Sequence, residues 1–87
     1  MKKALAEYII CLSNCLAQTK QANDRPLYQM YLADAGVLLA CLEIGANSNE
    51  LRQKVDTHER LLTNSWISDD AAYKTFYNSW GKFKRLL

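Results

Sequence analysis

The stretch PLYQMYLADAGVLLACLEI, residues 26–44, decides the fold of this chain. Apolar residues dominate it, and its only charged side chains are Asp34 and Glu43. Pro26 suits the first turn of a helix, because its missing N–H has no partner there, and Gly45 is expected to end the helix in the left-handed conformation. A helix that is apolar around most of its circumference lies centrally in a domain or contacts a second partner.

Apolar residues at helical spacing also mark segments on both sides of this stretch. Leu5, Ile9, Leu12 and Leu16 recur with a period close to 3.6, which is typical of an amphipathic helix and excludes a strand. Similar stripes occur in the second half of the chain. The predicted helices are residues 4–21, 26–44, 48–62 and 69–85.

Polar residues that commonly cap helices precede three of these segments. Asn23 or Asp24 is expected to cap the second helix, Asn47 or Ser48 the third, and Ser68 the fourth. Acidic residues follow in the first turns of the third and fourth helices, where the helix dipole favours negative charge. These caps leave short connections between the helices, which favour an up-down arrangement.

The predicted fold is all-α: a single-domain four-helix antiparallel bundle over residues 1–87, with the second helix as a candidate dimerisation surface. The chain is long enough for one modest core. Three glycines and one proline are too few for a β-sandwich or barrel, which needs frequent turns. Small residues on the second helix allow a neighbouring helix to approach closely. They are Ala33, Gly36 and Ala40.

Charge and cysteine content narrow the class of protein. A net charge of +2 is weak for a dedicated nucleic-acid-binding protein. Three cysteines are an odd number and lie among apolar residues, so we expect free thiols in a small soluble protein of the reducing cytoplasm. The start of the chain resembles a signal peptide, but Glu7 interrupts its apolar region, and we expect no processing there. No membrane partner is expected, because the longest apolar run, residues 35–42, is too short to span a bilayer.

The sequence contains one potential set of metal ligands: Cys11, Cys15, Cys41 and His58. Cys11 and Cys15 lie four residues apart on a continuous predicted helix, whereas structural zinc usually binds cysteines on a tight turn. We therefore interpret the cysteines as packing residues and predict no metal, no cofactor and no catalytic residues. His58 is expected to be half-buried with one hydrogen-bond partner, and the chain is not expected to be an enzyme.

Asp34 interrupts the most apolar helix, and a buried carboxylate is costly unless it is paired. Three placements are open: exposure to solvent, a pair with a cation such as Arg60, or a position in a partner interface. Trp66, in the break before the fourth helix, is either an exposed anchor for a partner or a lid over one end of the bundle.

The high content of Tyr and Trp suggests a role in protein–protein interaction. Tyr and Trp are enriched at protein interfaces, and five Tyr and two Trp are many for this length. We expect a non-enzymatic protein–protein interaction module, such as an inhibitor, an immunity-type protein or a regulatory adaptor, that binds a protein partner or itself as a homodimer. The candidate partner-binding residues are Tyr28, Tyr31, Asp34, Trp66 and Trp80.

The alternative is a nucleic-acid-binding regulatory protein that uses the basic chain ends. Both ends carry excess positive charge, and an up-down bundle brings the two ends of a four-helix chain together. Cations interleaved with aromatic residues in the fourth helix are also compatible with base stacking. The candidate basic patch consists of Lys2, Lys3, Lys82, Lys84 and Arg85.

Overall fold

The computed structural model describes all 87 residues and confirms the all-α fold. Its four helices are α1 (Lys2–Gln18), α2 (Arg25–Glu43), α3 (Ser48–Asn64) and α4 (Asp70–Lys84). The predicted helix α1 is too long at its C-terminal end. Thr19 adopts extended backbone, and its hydroxyl accepts a hydrogen bond from the backbone N–H of Gln21 at 3.2 Å, which competes with continuation of the helix.

The helices form an up-down bundle in which α1 packs against both α2 and α4, and α2 packs against α3. Tyr8 near the start of α1 contacts Trp80 near the end of α4, with ring centroids 5.2 Å apart. The end of α1 and the start of α4 line one groove. Helices α1 and α4 are therefore antiparallel, and the two chain ends lie at the same end of the bundle. None of the helices is both long and apolar enough to cross a membrane.

The core draws apolar side chains from all four helices, with large aromatic residues at its centre. Edge-on and tilted ring contacts connect them, such as Tyr28 with Phe76 at 6.0 Å and Trp80 with Phe83 at 5.4 Å. Burying each large side chain stabilises the fold by roughly 1.5–3 kcal/mol. The buried apolar residues are Leu5, Tyr8, Leu12, Tyr28, Tyr31, Ala35, Leu38, Val55, Leu62, Ile67, Phe76, Trp80 and Phe83.

Helix ends follow the sequence in part. Asn47 caps α3 by accepting from the backbone N–H of Glu50 at 2.9 Å, and Gly45 ends α2 with a φ of 73°. The predicted cap of α4 is wrong by one residue, because Asp69 accepts from the backbone N–H of Ala72 at 3.1 Å. Ser68 is free for another contact as a result.

Asp24 stands at the N-cap position of α2 but makes no side-chain bond to that helix. Its buried carboxylate instead accepts from the backbone N–H of Ser68 at 3.0 Å and from the Ser68 hydroxyl at 2.8 Å. This clasp joins the α1–α2 connection to the α3–α4 connection. It lies at the end of the bundle opposite the chain termini.

Candidate functional site

Three helices contribute to one buried polar network. His58 of α3 lies between Asp34 of α2 and Tyr8 of α1: its Nδ1 is 2.8 Å from Asp34 Oδ2, and its Nε2 is 2.6 Å from the Tyr8 hydroxyl. The Trp80 ring of α4 packs against the imidazole, with centroids 4.6 Å apart. His58 and Tyr8 are fully buried, whereas the Asp34 side chain retains 24% exposure.

Burial decides the protonation of this network. Desolvation lowers the pKa of His58 below its ordinary value, although Asp34 acts in the opposite direction. Burial also raises the pKa of Tyr8, so its hydroxyl keeps its proton. Neutral His58 therefore donates from Nδ1 to the Asp34 carboxylate and accepts at Nε2 from the Tyr8 hydroxyl.

The network decides one open placement and corrects one expectation. Of the three placements open for Asp34, the structure shows a pair within the chain, with His58 and not with a cation such as Arg60. His58 is fully buried with two hydrogen-bond partners, where one partner and partial burial were expected. Both results arise because Tyr8, Asp34 and His58 lie on three helices whose crossing point no local pattern indicates.

The three cysteines are free thiols. Cys11 and Cys15 line a groove of about 870 Å³ between α1 and α4. Burial and the neighbouring Cys11 thiol raise the pKa of Cys15 to about 11, which keeps it protonated and a poor nucleophile at neutral pH. No group of three or more His, Cys, Asp or Glu side chains is placed to hold a metal ion.

Three large exposed apolar residues form a row on one side of α2. Met30, Val37 and Ile44 are 38%, 48% and 80% exposed, at successive intervals of seven residues. Small exposed residues lie beside this row, and a Cβ added at Gly36 would meet no atom within 4 Å. We name this surface the α2 outer face. It consists of Pro26, Met30, Ala33, Gly36, Val37, Ala40 and Ile44.

The α2 outer face contains no charged residue, and within α2 charged residues flank it only at its two ends. Beside it, Arg60 of α3 lines a depression together with Met30. Arg25 begins α2 and Glu43 ends it, and both are exposed. Neither makes an ion pair within the chain. Asp34, the remaining charged residue of α2, lies on the side that faces α3 and is held by His58.

The predicted partner-binding residues occupy different environments. Tyr28, Tyr31 and Trp80 are buried at 0–1% exposure, so they form the core and present no surface, contrary to expectation. Their positions on α2 and α4 coincide with the buried stripes of those helices. Trp66 is 77% exposed, while the adjacent Ile67 is buried.

Sequence reasoning omitted Met30, Val37 and Ile44 from the candidate partner-binding residues. The seven-residue recurrence of these three large apolar residues on the second helix was the available signal. Without knowing which face of the helix packs against α1 and α3, the row cannot be distinguished from core.

Trp66 belongs to a short ladder of stacked rings on the surface. Its ring lies 6.3 Å from that of Tyr73, which in turn stacks on Tyr77 at 5.5 Å. The Tyr73 hydroxyl donates to the Leu62 carbonyl at 3.1 Å, which ties α4 to the end of α3. The ladder therefore supports the α3–α4 junction from the outside and leaves one face of Trp66 open.

The predicted basic patch is placed at one end of the molecule by the antiparallel pairing of α1 and α4. Lys2, Lys3 and Lys82 are exposed there. Lys84 donates to Glu59 at 2.6 Å, which raises its pKa, and Arg85 donates from Nε to the Gly81 carbonyl at 3.3 Å. Part of the positive charge is thus engaged within the chain.

Comparison with known proteins yields no relative for this chain. No protein-family model matches it, and no curated protein or solved structure is similar to it at a significant level.

Proposed function

We propose that the protein is a non-enzymatic protein–protein interaction module that binds its partner through the α2 outer face. The observation that carries this proposal is the uncharged apolar row with Met30, Val37 and Ile44 exposed to solvent. Large apolar side chains exposed on one side of a helix are typical of a site that another protein covers. The role that fits is that of an inhibitor, an immunity-type protein or a regulatory adaptor.

The composition of the α2 outer face favours a helical partner. Ala33, Gly36 and Ala40 leave space for a second helix to approach closely, and larger side chains stand beside them as anchors. Covering a fully exposed large aliphatic side chain contributes roughly 1.5–3 kcal/mol. Met30 and Val37 are already half-buried, so each contributes less than this.

The buried network supports a non-enzymatic role. Asp34, His58 and Tyr8 resemble the order of groups in a proton relay, but the Tyr8 hydroxyl and the imidazole have no exposed surface. A general base has to reach the proton that it abstracts. We therefore propose that these three side chains stabilise the core and take part in no reaction.

We also propose that the protein resides in a reducing compartment such as the cytoplasm. All three cysteines are free thiols, and the Cys15 thiol is held in its protonated form. Persistent free thiols are typical of reducing compartments.

The test uses three tagged versions of the chain: wild type, Val37→Arg and Ile10→Arg. Ile10 is a matched control, because it is 59% exposed on α1, away from the α2 outer face. We expect in-cell cross-linking followed by mass spectrometry to recover a partner with wild type and Ile10→Arg but not with Val37→Arg. Equal recovery by all three would show that the α2 outer face is not the binding surface.

The basic end supports nucleic acid as a second candidate. The observation that favours it is that the antiparallel pairing of α1 and α4 brings Lys2 and Lys3 to the same end as Lys82. A mobility-shift assay with short RNA and DNA at low salt tests it, since phosphate contacts weaken steeply with ionic strength. Binding that salt abolishes and Lys82→Glu weakens supports this role, and no shift at low salt excludes it.

A further inference from the structure

We infer that the partner of the α2 outer face is a second copy of this chain, bound with the two α2 helices antiparallel. This inference rests on the proposed function and specifies its partner. The two charged residues that flank the row carry the argument. They are opposite in sign, are exposed, lie at opposite ends of α2 and have no ion pair within the chain.

Both charges are unfavourable for the helix that carries them. The helix dipole favours negative charge near the N-terminus and positive charge near the C-terminus. Arg25 is at the N-terminus of α2 and Glu43 is at its C-terminus. The first turn holds no acidic residue and the last turn no basic residue, and the carboxylate of Asp24 at the N-cap is bonded to Ser68. Within a single chain, neither placement is explained by helix electrostatics.

In an antiparallel dimer, Arg25 and Glu43 each lie at the end of the second copy's α2 where the helix dipole favours their charge. Arg25 then lies near the C-terminus of the second α2, beside the second copy's Glu43, and Glu43 lies near the second N-terminus. Each charge gains an opposite charge and the favourable end of a helix dipole. A parallel copy would instead place each of these charges beside its own equivalent.

The spacing of the charges agrees with this arrangement. Arg25 and Glu43 are separated by about five complete helical turns, so both project from the same side of α2. A two-fold axis between antiparallel helices places this side of α2 next to the same side of the second copy's α2. The interface is therefore self-complementary. Pairing of Arg25 with the second copy's Glu43 puts the axis near residues 33 and 34. Met30 then lies opposite the second copy's Val37, and the small Ala33 lies near the axis, where the helices are closest.

The size of the α2 outer face sets the expected affinity of the dimer. One helix packed on one helix buries less area than a standard stable interface, so we expect a reversible dimer with a dissociation constant on the order of 10 µM. Exposed ion pairs contribute modestly, and reversing a charge at both symmetric positions is expected to weaken the dimer by about tenfold.

Reversing the charges of residues 25 and 43 tests the inference. The measurement is the dissociation constant of the dimer, from sedimentation equilibrium over a range of protein concentrations. We expect wild type to dimerise, and we expect Arg25→Glu and Glu43→Arg each to weaken the dimer. A mixture of these two variants is expected to form a heterodimer, and the double variant is expected to regain the dimer. Since residues 25 and 43 are exposed and make no ion pair within the chain, both single variants should keep the melting temperature of the monomer.

The outcomes separate this inference from the function on which it rests. A wild type that stays monomeric up to about 1 mM overturns the inference, whereas loss of cross-linked partner on Val37→Arg would still support the function with another protein. A dimer that neither single variant weakens, or that the double variant fails to restore, overturns the antiparallel pairing. If Val37→Arg changes neither the dimer nor partner capture, both proposals fail.

Discussion

At the scale of single residues, the central feature is a histidine buried in its neutral form. Its two ring nitrogens are both bonded, to Asp34 at 2.8 Å and to Tyr8 at 2.6 Å. A buried polar network of this kind is favourable only while every member is satisfied. The nearby Trp80 indole N–H is buried without a hydrogen-bond partner, so the polar groups of this region are not all matched.

The neutral state of His58 predicts a pH dependence of stability. Because burial places the folded pKa below the ordinary value of 6.5, the unfolded chain binds a proton first as the pH falls. The free energy of unfolding should therefore decrease as the pH drops through about 6.5, by at most about 1.4 kcal/mol per pH unit. Urea denaturation at about pH 7.5 and about pH 5.5 measures the change. The variant His58→Gln should lack this component, and an identical pH slope in both proteins would contradict the assignment.

The Tyr8 hydroxyl is predicted to be essential to the network. Tyr8→Phe leaves Nε2 of His58 buried without a donor, and we expect a loss of about 1–3 kcal/mol in the free energy of unfolding. Tyr77→Phe is the matched control, because the half-buried Tyr77 makes no hydrogen bond through its hydroxyl. Urea denaturation of both variants is the measurement, and equal losses would show that the Tyr8–His58 bond contributes nothing.

At the scale of elements, the connections between helices are themselves joined. The buried Asp24 carboxylate bonds both the backbone N–H and the hydroxyl of Ser68, which ties the α1–α2 connection to the α3–α4 connection. A carboxylate that accepts several hydrogen bonds fixes the relative positions of the segments that it contacts. The start of α2 is thereby coupled to the start of α4.

A double-mutant cycle on this clasp is predicted to show coupling. Asp24→Ala leaves both Ser68 donors unpaired. In a Ser68→Ala background the hydroxyl donor is already absent, so Asp24→Ala then removes the acceptor of the backbone N–H alone. We expect a coupling energy of about 0.5–3 kcal/mol between the two substitutions, measured by urea denaturation. Strict additivity would mean that the two connections are held independently of each other.

The orientation of α2 in the bundle predicts a large loss of stability for substitution of Leu38 and a small one for substitution of its neighbour Val37. Leu38 is 1% exposed in the core, and its replacement by Ala should cost about 2–5 kcal/mol. Val37 is 48% exposed on the α2 outer face, so Val37→Ala should change monomer stability by less than about 1 kcal/mol. Thermal unfolding at low protein concentration compares them, and a larger loss at Val37 would reverse the orientation of the helix.

Helix content was predictable because its signals are local. The 3.6-residue period of Leu5, Ile9, Leu12 and Leu16, the capping Asn47 and the stop at Gly45 all act within a few residues of themselves. These features predicted the number of helices and their approximate limits. The exception at the end of α1 is also local: the Thr19 side chain binds the backbone in a turn that the apolar pattern does not report.

The candidate site was predictable only in part, because its residues meet across the fold. The sequence shows that Asp34 interrupts an apolar helix and predicts one hydrogen-bond partner for His58, but the pairing of the two depends on how α2 and α3 cross. Asp24, one of two residues predicted to cap α2, stands at the N-cap position, but its side chain contacts a residue 44 positions away. Tyr28 and Tyr31 were assigned to a surface that they do not reach, since composition alone does not say which side of a nearly apolar helix is outside.

At the scale of the whole molecule, the bundle separates two apolar surfaces of α2. One faces α1 and α3 and includes Tyr28, Tyr31, Ala35 and Leu38, and the other is the α2 outer face. The first completes the core within one chain. The second remains exposed between Arg25 and Glu43, which suits a complementary helix running in the opposite direction.

The most direct test of the central claim is an NMR dilution experiment on the uniformly ¹⁵N-labelled protein, from about 1 mM to about 10 µM. If the α2 outer face binds a second copy, the amide signals that shift with concentration will belong to residues 25–44, with those near Val37 moving most. Signals around Ile10, an equally apolar exposed position on α1, will stay fixed. Shifts that are absent throughout, or that concentrate around Ile10, would contradict the claim.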